Sequence, residues 1–169
     1  MVCLLGVGGT PPAIGDYRDG GIVFWLDGNG GGLVCDINDL PTSEWGCYGT
    51  AISGADGTAI GTGAQNTIDI EAGCTTANTA ADRCANSTAQ GYSDWFLPSK
   101  DELNQMYMNK AAIDATAIAN GGSAFASSYY WSSSEFNNLT SAWYQHFNNF
   151  YQNYFSKSYP TNVRAVRAF

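Results

Sequence analysis

Residues 136–160, FNNLTSAWYQHFNNFYQNYFSKSYP, are dense in Phe, Tyr, Asn and Ser and hold no Asp, Glu, Gly or Met. Aromatic and hydroxyl-bearing residues favour strands. Exposed at this density they invite aggregation, unless they serve binding. Strand parity divides the segment. Across Ala142–Asn148, Trp143, Gln145 and Phe147 share one face, expected to point to the core. Tyr144, His146 and Asn148 share the other, expected to offer rings and hydrogen-bonding groups outward.

The genetic code divides it again. An Asn codon whose adenines are freely replaced can yield Phe, Leu, Ser, Tyr, His, Pro, Thr or Asn, but never Gln, Lys, Glu, Met or Trp. In 136–160 those excluded types occur only as Trp143, Gln145, Gln152 and Lys157. The pattern is that of a fixed frame interleaved with free positions.

Charge is placed just as unevenly. Every Asp and Glu lies at or before Glu135, while Lys157, Arg164 and Arg167 follow it. The chain as a whole carries a net charge of −8. That balance argues against a nucleic-acid partner, which needs clustered Lys and Arg to neutralise phosphates.

Upstream, GIVFWL (21–26) and LVCDI (33–37) flank DGNGGG and predict a β-hairpin with a loose tip. Residues 39–73 lack periodicity and are expected to form a long ordered loop. Ala-rich 74–90 is expected to be helical. Ser99 and Glu102 have capping-box spacing, and Leu103, Met106 and Tyr107 then mark one face of a helix ending near Lys110. After a Gly/Ser/Ala loop at 120–128, strands are expected at 129–134, 142–148, 151–157 and 163–169. The last has apolar residues on both faces, as an interior strand does. Two helices followed by a block of strands make an α+β domain over 20–169, with 1–19 as an N-terminal extension or strand.

No catalytic constellation is visible. The single His146 has no nucleophile assigned to it by spacing. GVGGT lacks the Lys-Ser/Thr of a phosphate loop, and DGNGGG has Asn38 where a calcium loop needs Glu. No Cys/His spacing fits zinc. Catalytic residues, metal and cofactor are therefore all expected to be absent. The opening MVCLLGVGGTPP does not read as a signal peptide, and no stretch is long enough to insert into a membrane. Five cysteines (Cys3, Cys35, Cys47, Cys74 and Cys84) leave one unpaired if pairing is internal. The local pairings are Cys35–Cys47 and Cys74–Cys84, with buried free thiols the alternative.

As an ordered set, GGIVFWLD, WGCYGT, GADGTAIGTGAQNT, SDWFLPSKDELNQMY, YYWSSSE and NVRAVRAF resemble a bacterial and phage family with a C-type-lectin-like fold. That family includes the C-terminal domain of a collagen-like adhesin and variable proteins of diversity-generating retroelements. The resemblance runs from about Gly20 to Phe169. It implies two helices packed on small antiparallel sheets with long ordered loops. It also implies a ligand- or receptor-binding protein whose C-terminal surface is varied by adenine-specific mutagenesis.

The free, ligand-contacting positions it implies are Phe136, Asn137, Asn138, Leu139, Thr140, Ser141, Tyr144, His146, Tyr151, Asn153, Tyr154, Phe155, Ser156, Ser158, Tyr159 and Pro160. Asn148, Asn149 and Phe150 fall at a turn that is part of either the frame or the free set. Trp95, Phe96, Trp131, Trp143, Phe147 and Phe169 are expected core pieces. Arg164 and Arg167 are expected to need partners, with Glu135 the nearest acid in sequence. The implied partner is a protein or cell-surface ligand, and the implied location a phage particle or bacterial surface. Glu-Pro-Asn and Trp-Asn-Asp are missing, so calcium-dependent sugar binding is not implied. The alternatives are an undiversified adhesin or structural domain of the same family, and an enzyme on the related formylglycine-generating fold.

Overall fold

The Gly-rich DGNGGG tip lets two apolar runs fold back on each other. In the computed structural model, which describes residues 9–137 and 139–169, β2 (Gly21–Leu26) pairs antiparallel with β3 (Gly32–Cys35). Asp27 Oδ1 accepts from the amides of Asn29 and Gly31, at 2.6 and 3.0 Å. Gly28 and Gly30 take positive φ there, which only glycine adopts without strain. The tip's carboxylate thus serves its own backbone. β1 (Tyr17–Arg18) adds to the outer side of β2, and β9 (Val166–Ala168) pairs with β3. The resulting four-stranded sheet, β1-β2-β3-β9, joins the beginning and end of the described chain.

A second sheet has the order β4-β8-β5-β6-β7, from β4 (Leu40–Ser43), β5 (Tyr129–Asn137), β6 (Ser141–His146), β7 (Gln152–Ser156) and β8 (Thr161–Val163). Its β5–β8 pairing is parallel, so the sheets are not purely antiparallel as expected. The expected strand 163–169 is in fact two, one in each sheet. The break falls at Arg164, which is buried at the crossing. Its Nε donates to Asp39 Oδ1 at 2.7 Å, and its guanidinium lies 4.1 Å from the Phe125 ring centroid.

Among the described residues, four α-helices replace the two expected. α1 (Gly63–Gly73) falls inside the expected loop 39–73. It escapes a search for apolar periodicity because its buried face is largely polar. Asn66 donates to Gly57 O (2.7 Å) and Ser133 Oγ (3.1 Å), and Thr67 Oγ1 accepts from the Leu97 amide (3.0 Å). The expected helix at 74–90 shrinks to α2 (Ala80–Ala85), capped by Thr79, and a single 3-10 turn at Ala89–Gly91.

α3 (Lys100–Met108) begins with the predicted capping box at Ser99 and Glu102. The chain does not stop near Lys110. It kinks at Asn109, whose side chain donates to Phe24 O at 2.9 Å, and resumes as α4 (Lys110–Ala119). The architecture is α+β, with α3 lying against β2, β5 and β6 and α4 against β2. One core lies between the four-stranded sheet and α3/α4, around Phe24, Met106, Ile113 and Phe147. The other gathers Trp45, Ile70, Trp95 and Trp131. Among the described residues, no helix is long and apolar enough to cross a membrane.

Cysteine pairing takes neither local route. Cys47 and Cys74 are joined, Cys35 and Cys84 are buried free thiols, and Cys3 lies outside the described residues.

Candidate functional site

β6 and β7 form the outer hairpin of the five-stranded sheet, in the register Ser141↔Ser156, Trp143↔Tyr154 and Gln145↔Gln152. Among the described residues, β7 has a neighbour on one side only. Burial therefore falls from β5, sealed at Tyr130 to Glu135, toward β7. Of the expected contact positions, Phe136, Asn137, Leu139, Tyr151, Tyr154, Phe155, Ser158, Tyr159 and Pro160 are exposed. Thr140, Ser141, His146, Asn153 and Ser156 are half-buried. Asn138 lies outside the described residues. Phe150 is exposed in the turn between β6 and β7, with Asn148 and Asn149.

Tyr144 departs from expectation, because only 9 % of it is exposed. Trp143, expected inward, is half-buried instead. The two-face reading assumed one covered side, whereas this sheet is covered on both. α3 lies against one face, and the layer holding Trp45 and Trp131 covers the other. What decides exposure is distance from β5 rather than parity alone.

Exposed rings consequently collect on both faces of the hairpin. On the α3 side Phe136 and Tyr154 stack at 3.8 Å with 1° between planes, and Trp143 meets Phe136 edge-on at 5.0 Å. A shallow depression of about 570 Å³ opens beside them, lined by Phe136, Asn137, Leu139 and Thr140. On the other side Tyr129, Tyr144, Phe155, Tyr159 and Thr161 line a cleft of about 220 Å³. Burial pushes the Tyr144 hydroxyl above the usual tyrosine range, helped by the neighbouring Tyr129 and Tyr151.

The four residues that an Asn codon cannot reach all tie the hairpin to the scaffold or to itself. Lys100 Nζ lies 4.8 Å from the Trp143 ring centroid, and Gln152 Nε2 donates to Lys100 O at 2.8 Å. Gln145 is fully buried, with Nε2 at 3.5 Å from the carbonyls of His146 and Tyr151. Lys157 is also fully buried. It pairs with Glu135, donates to Thr50 O at 2.8 Å, and lies 4.7 Å from the Trp45 ring centroid.

Glu135 thus serves Lys157 rather than an arginine. Arg164 pairs with Asp39, and Arg167 pairs with Asp94, 3.8 Å from the Tyr92 ring centroid. The Arg167 guanidinium holds the Asp94 carboxyl below the usual carboxylate range. Trp95, Phe96, Trp131 and Phe147 are buried core pieces as expected, while Phe169 is half-buried at the chain end.

Two contributions escaped the sequence. Asn137, expected to be free, organises the β5–β6 turn, its Oδ1 accepting from the Thr140 and Ser141 amides at 2.9 and 3.1 Å. Residues 45–52, expected to be part of a long ordered loop, brace both ends of the hairpin. Gly46 N donates to Lys157 O (3.1 Å), Gly49 N to Leu139 O (2.7 Å), and Ile52 N to Glu135 Oε1 (3.1 Å). The Cys47–Cys74 bridge anchors this brace to the end of α1. Only the WGCYGT motif hinted at it.

Among the described residues, no group of His, Cys, Asp and Glu is arranged to hold a metal ion. Comparison with curated proteins finds no match. A family model described as the Lcl C-terminal domain matches residues 45–167, from the brace through β5–β8 and into β9. Well over half of the chain is covered, and the chain belongs to the Lcl C-terminal domain family.

Proposed function

We propose that the chain is a ligand- or receptor-binding protein of C-type-lectin-like fold, whose β5–β8 surface is diversified by adenine-specific retroelement mutagenesis. One observation carries this reading. The residues an Asn codon can reach supply the exposed surface of the hairpin, whereas Trp143, Gln145, Gln152 and Lys157 hold it in place. A strand's ladder is made by its backbone, so outward side chains can change without loss of those bonds. Tyr gives rigid contact area at low entropic cost, and Asn and Ser give adaptable hydrogen bonds, as in an antibody paratope.

The joining of the first hairpin to the last strand, with a second sheet displayed beyond them, supports the lectin-like reading. The partner is a protein or another cell-surface ligand, met on a phage particle or bacterial surface. The chain acts by binding rather than catalysis. Deep burial pushes the Cys35 thiol up to about 12 and the Cys84 thiol well above its usual range, which makes poor nucleophiles of both.

The test is in the neighbouring DNA. A near-copy of the codons for roughly residues 130–169, differing only where the copy has adenine and lying beside a reverse transcriptase gene, is the expected result. A locus with neither makes this an undiversified adhesin or structural domain.

A further inference from the structure

The cleft on the side of the hairpin away from α3 is walled by aromatic rings. Tyr129 meets Tyr144 at 4.9 Å and 83°, Tyr144 meets Phe155 at 6.1 Å and 87°, and Phe155 meets Tyr159 at 4.7 Å and 89°. Three successive near-right angles make a box, not the flat platform on which a sugar or base would stack. Its volume of about 220 Å³ is below the roughly 300–1,000 Å³ of sites that enclose a whole drug-sized ligand. A single compact group fits it. Thr161 completes the wall, and no carboxylate or basic group is among the lining residues.

From this geometry we infer that the box seats a fully alkylated ammonium group, of the choline or trimethyl-lysine type. The inference deepens the binding role proposed above and rests on it. Ring faces attract cations, and the attraction grows when water is excluded. Tyr144, nearly sealed, supplies such a dry wall.

A primary ammonium or a guanidinium entering this box would lose water from several N–H donors and meet no carboxylate, only the Thr161 and tyrosine hydroxyls, to replace it. A quaternary ammonium has no N–H to satisfy, so the lining selects it. Elsewhere the chain's rings already seat its own cations. Arg18, Lys100, Lys157, Arg164 and Arg167 lie over Phe169, Trp143, Trp45, Phe125 and Tyr92. None of these is a box ring, so among the described residues no cation of the chain lies over the box. The net charge of −8 favours the approach of a cationic ligand.

The experiment is titration of the whole chain, followed by tyrosine fluorescence and NMR, with choline and with its neutral isostere 3,3-dimethylbutan-1-ol. Choline is expected to bind at least about tenfold more tightly than the isostere, the margin of a desolvated cation–π contact. Tyr159→Ala and Phe155→Ala are each expected to abolish the difference, with folding checked by circular dichroism. Ile118→Ala, exposed on α4 and outside the candidate surface, is expected to leave it intact. Phosphocholine and a trimethyl-lysine peptide serve as further arms, and the tighter of the two names the source of the group.

Equal binding of choline and the isostere, or tighter binding of the isostere, overturns the inference in favour of an apolar anchor. So does absence of binding by all four probes. These outcomes are separable from the diversification reading, which stands or falls on the template repeat in the DNA.

Discussion

Lys157 and Glu135 form an ion pair whose side chains are only 0 % and 3 % exposed, yet they come from opposite ends of the segment that carries the candidate surface. Glu135 ends the sealed part of β5, and Lys157 follows β7. Removing one partner of such a pair leaves an uncompensated buried charge, at a cost of about 3–5 kcal/mol. Lys157→Met is expected to lose that much in urea unfolding. The double variant Glu135→Gln/Lys157→Met is expected to lose clearly less, since a neutral pair of similar volume leaves no charge stranded. A single-variant loss below about 1 kcal/mol would place the pair among ordinary surface bridges.

Tolerance at the free positions should follow burial rather than identity. Tyr154→Ser breaks the parallel stack with Phe136, so a loss of about 1 kcal/mol is expected, the worth of an aromatic pair. Ser158→Asn, on an exposed turn, should stay within about 0.5 kcal/mol. Tyr144→Ser empties a nearly sealed site and should lose about 3 kcal/mol, as large-to-small core changes do. Thermal or urea unfolding of the three variants checks the ranking. If Tyr144→Ser proves the mildest, the buried placement of Tyr144 is wrong.

The Cys47–Cys74 bridge closes a loop with a sequence separation of 27. Chain-entropy arguments assign about 3–4 kcal/mol to a loop of that length. The bridge also holds the brace whose Gly46 and Gly49 amides bond Lys157 O and Leu139 O. A Cys47→Ala/Cys74→Ala variant is expected to lose stability by about that amount. Amide exchange should quicken at Gly46 and Gly49 before it does in β2 or β3. Uniform acceleration over the whole molecule would show that the brace does not open on its own.

How much of this was legible in the sequence depends on which chemistry each element uses to bury itself. The β2–β3 hairpin and the Ser99–Glu102 cap were legible because turn glycines and capping spacing act locally. α1 was not, because Asn66 and Thr67 bury a polar face through hydrogen bonds to residues far along the chain. The pairing of Lys157 with Glu135, and of the arginines with Asp39 and Asp94, is likewise a property of topology. At the site, codon reach picks out four frame residues but leaves the buried Ala142, Tyr144 and Phe147 among the reachable ones. Parity presumes that one face of a strand is dry, and β6 is covered on both. Parity puts Trp143 toward α3 and Tyr144 away from it, as the structure has them, but misjudges how exposed each is, whereas Gln145 and Phe147 are buried as expected.

The cap of α3 sits beneath the candidate surface, since Lys100 accepts from Gln152 and lies over Trp143. Its carboxylate, Glu102, is fully buried and accepts from the Ser99 and Gly61 amides at 2.7 and 2.8 Å. Burial pushes the Glu102 carboxyl up despite these bonds. The sign of its effect on stability follows. Unfolded, a Glu titrates near about 4.3, so between that value and the higher folded one the native state holds more proton than the unfolded chain. Stability from this group is therefore greatest at low pH and is lost as pH rises through that window. Glu102→Gln cannot titrate, so the stability difference between wild type and variant should shrink as pH rises from about 4.3, then level off above the folded value. Asp36 and Glu71, also pushed up mainly by burial, are common to both proteins and cancel in the difference. Urea midpoints of the two proteins across this range decide it. A wild type that gains on the variant as pH rises would mean that the amides around Glu102, rather than its burial, set its charge.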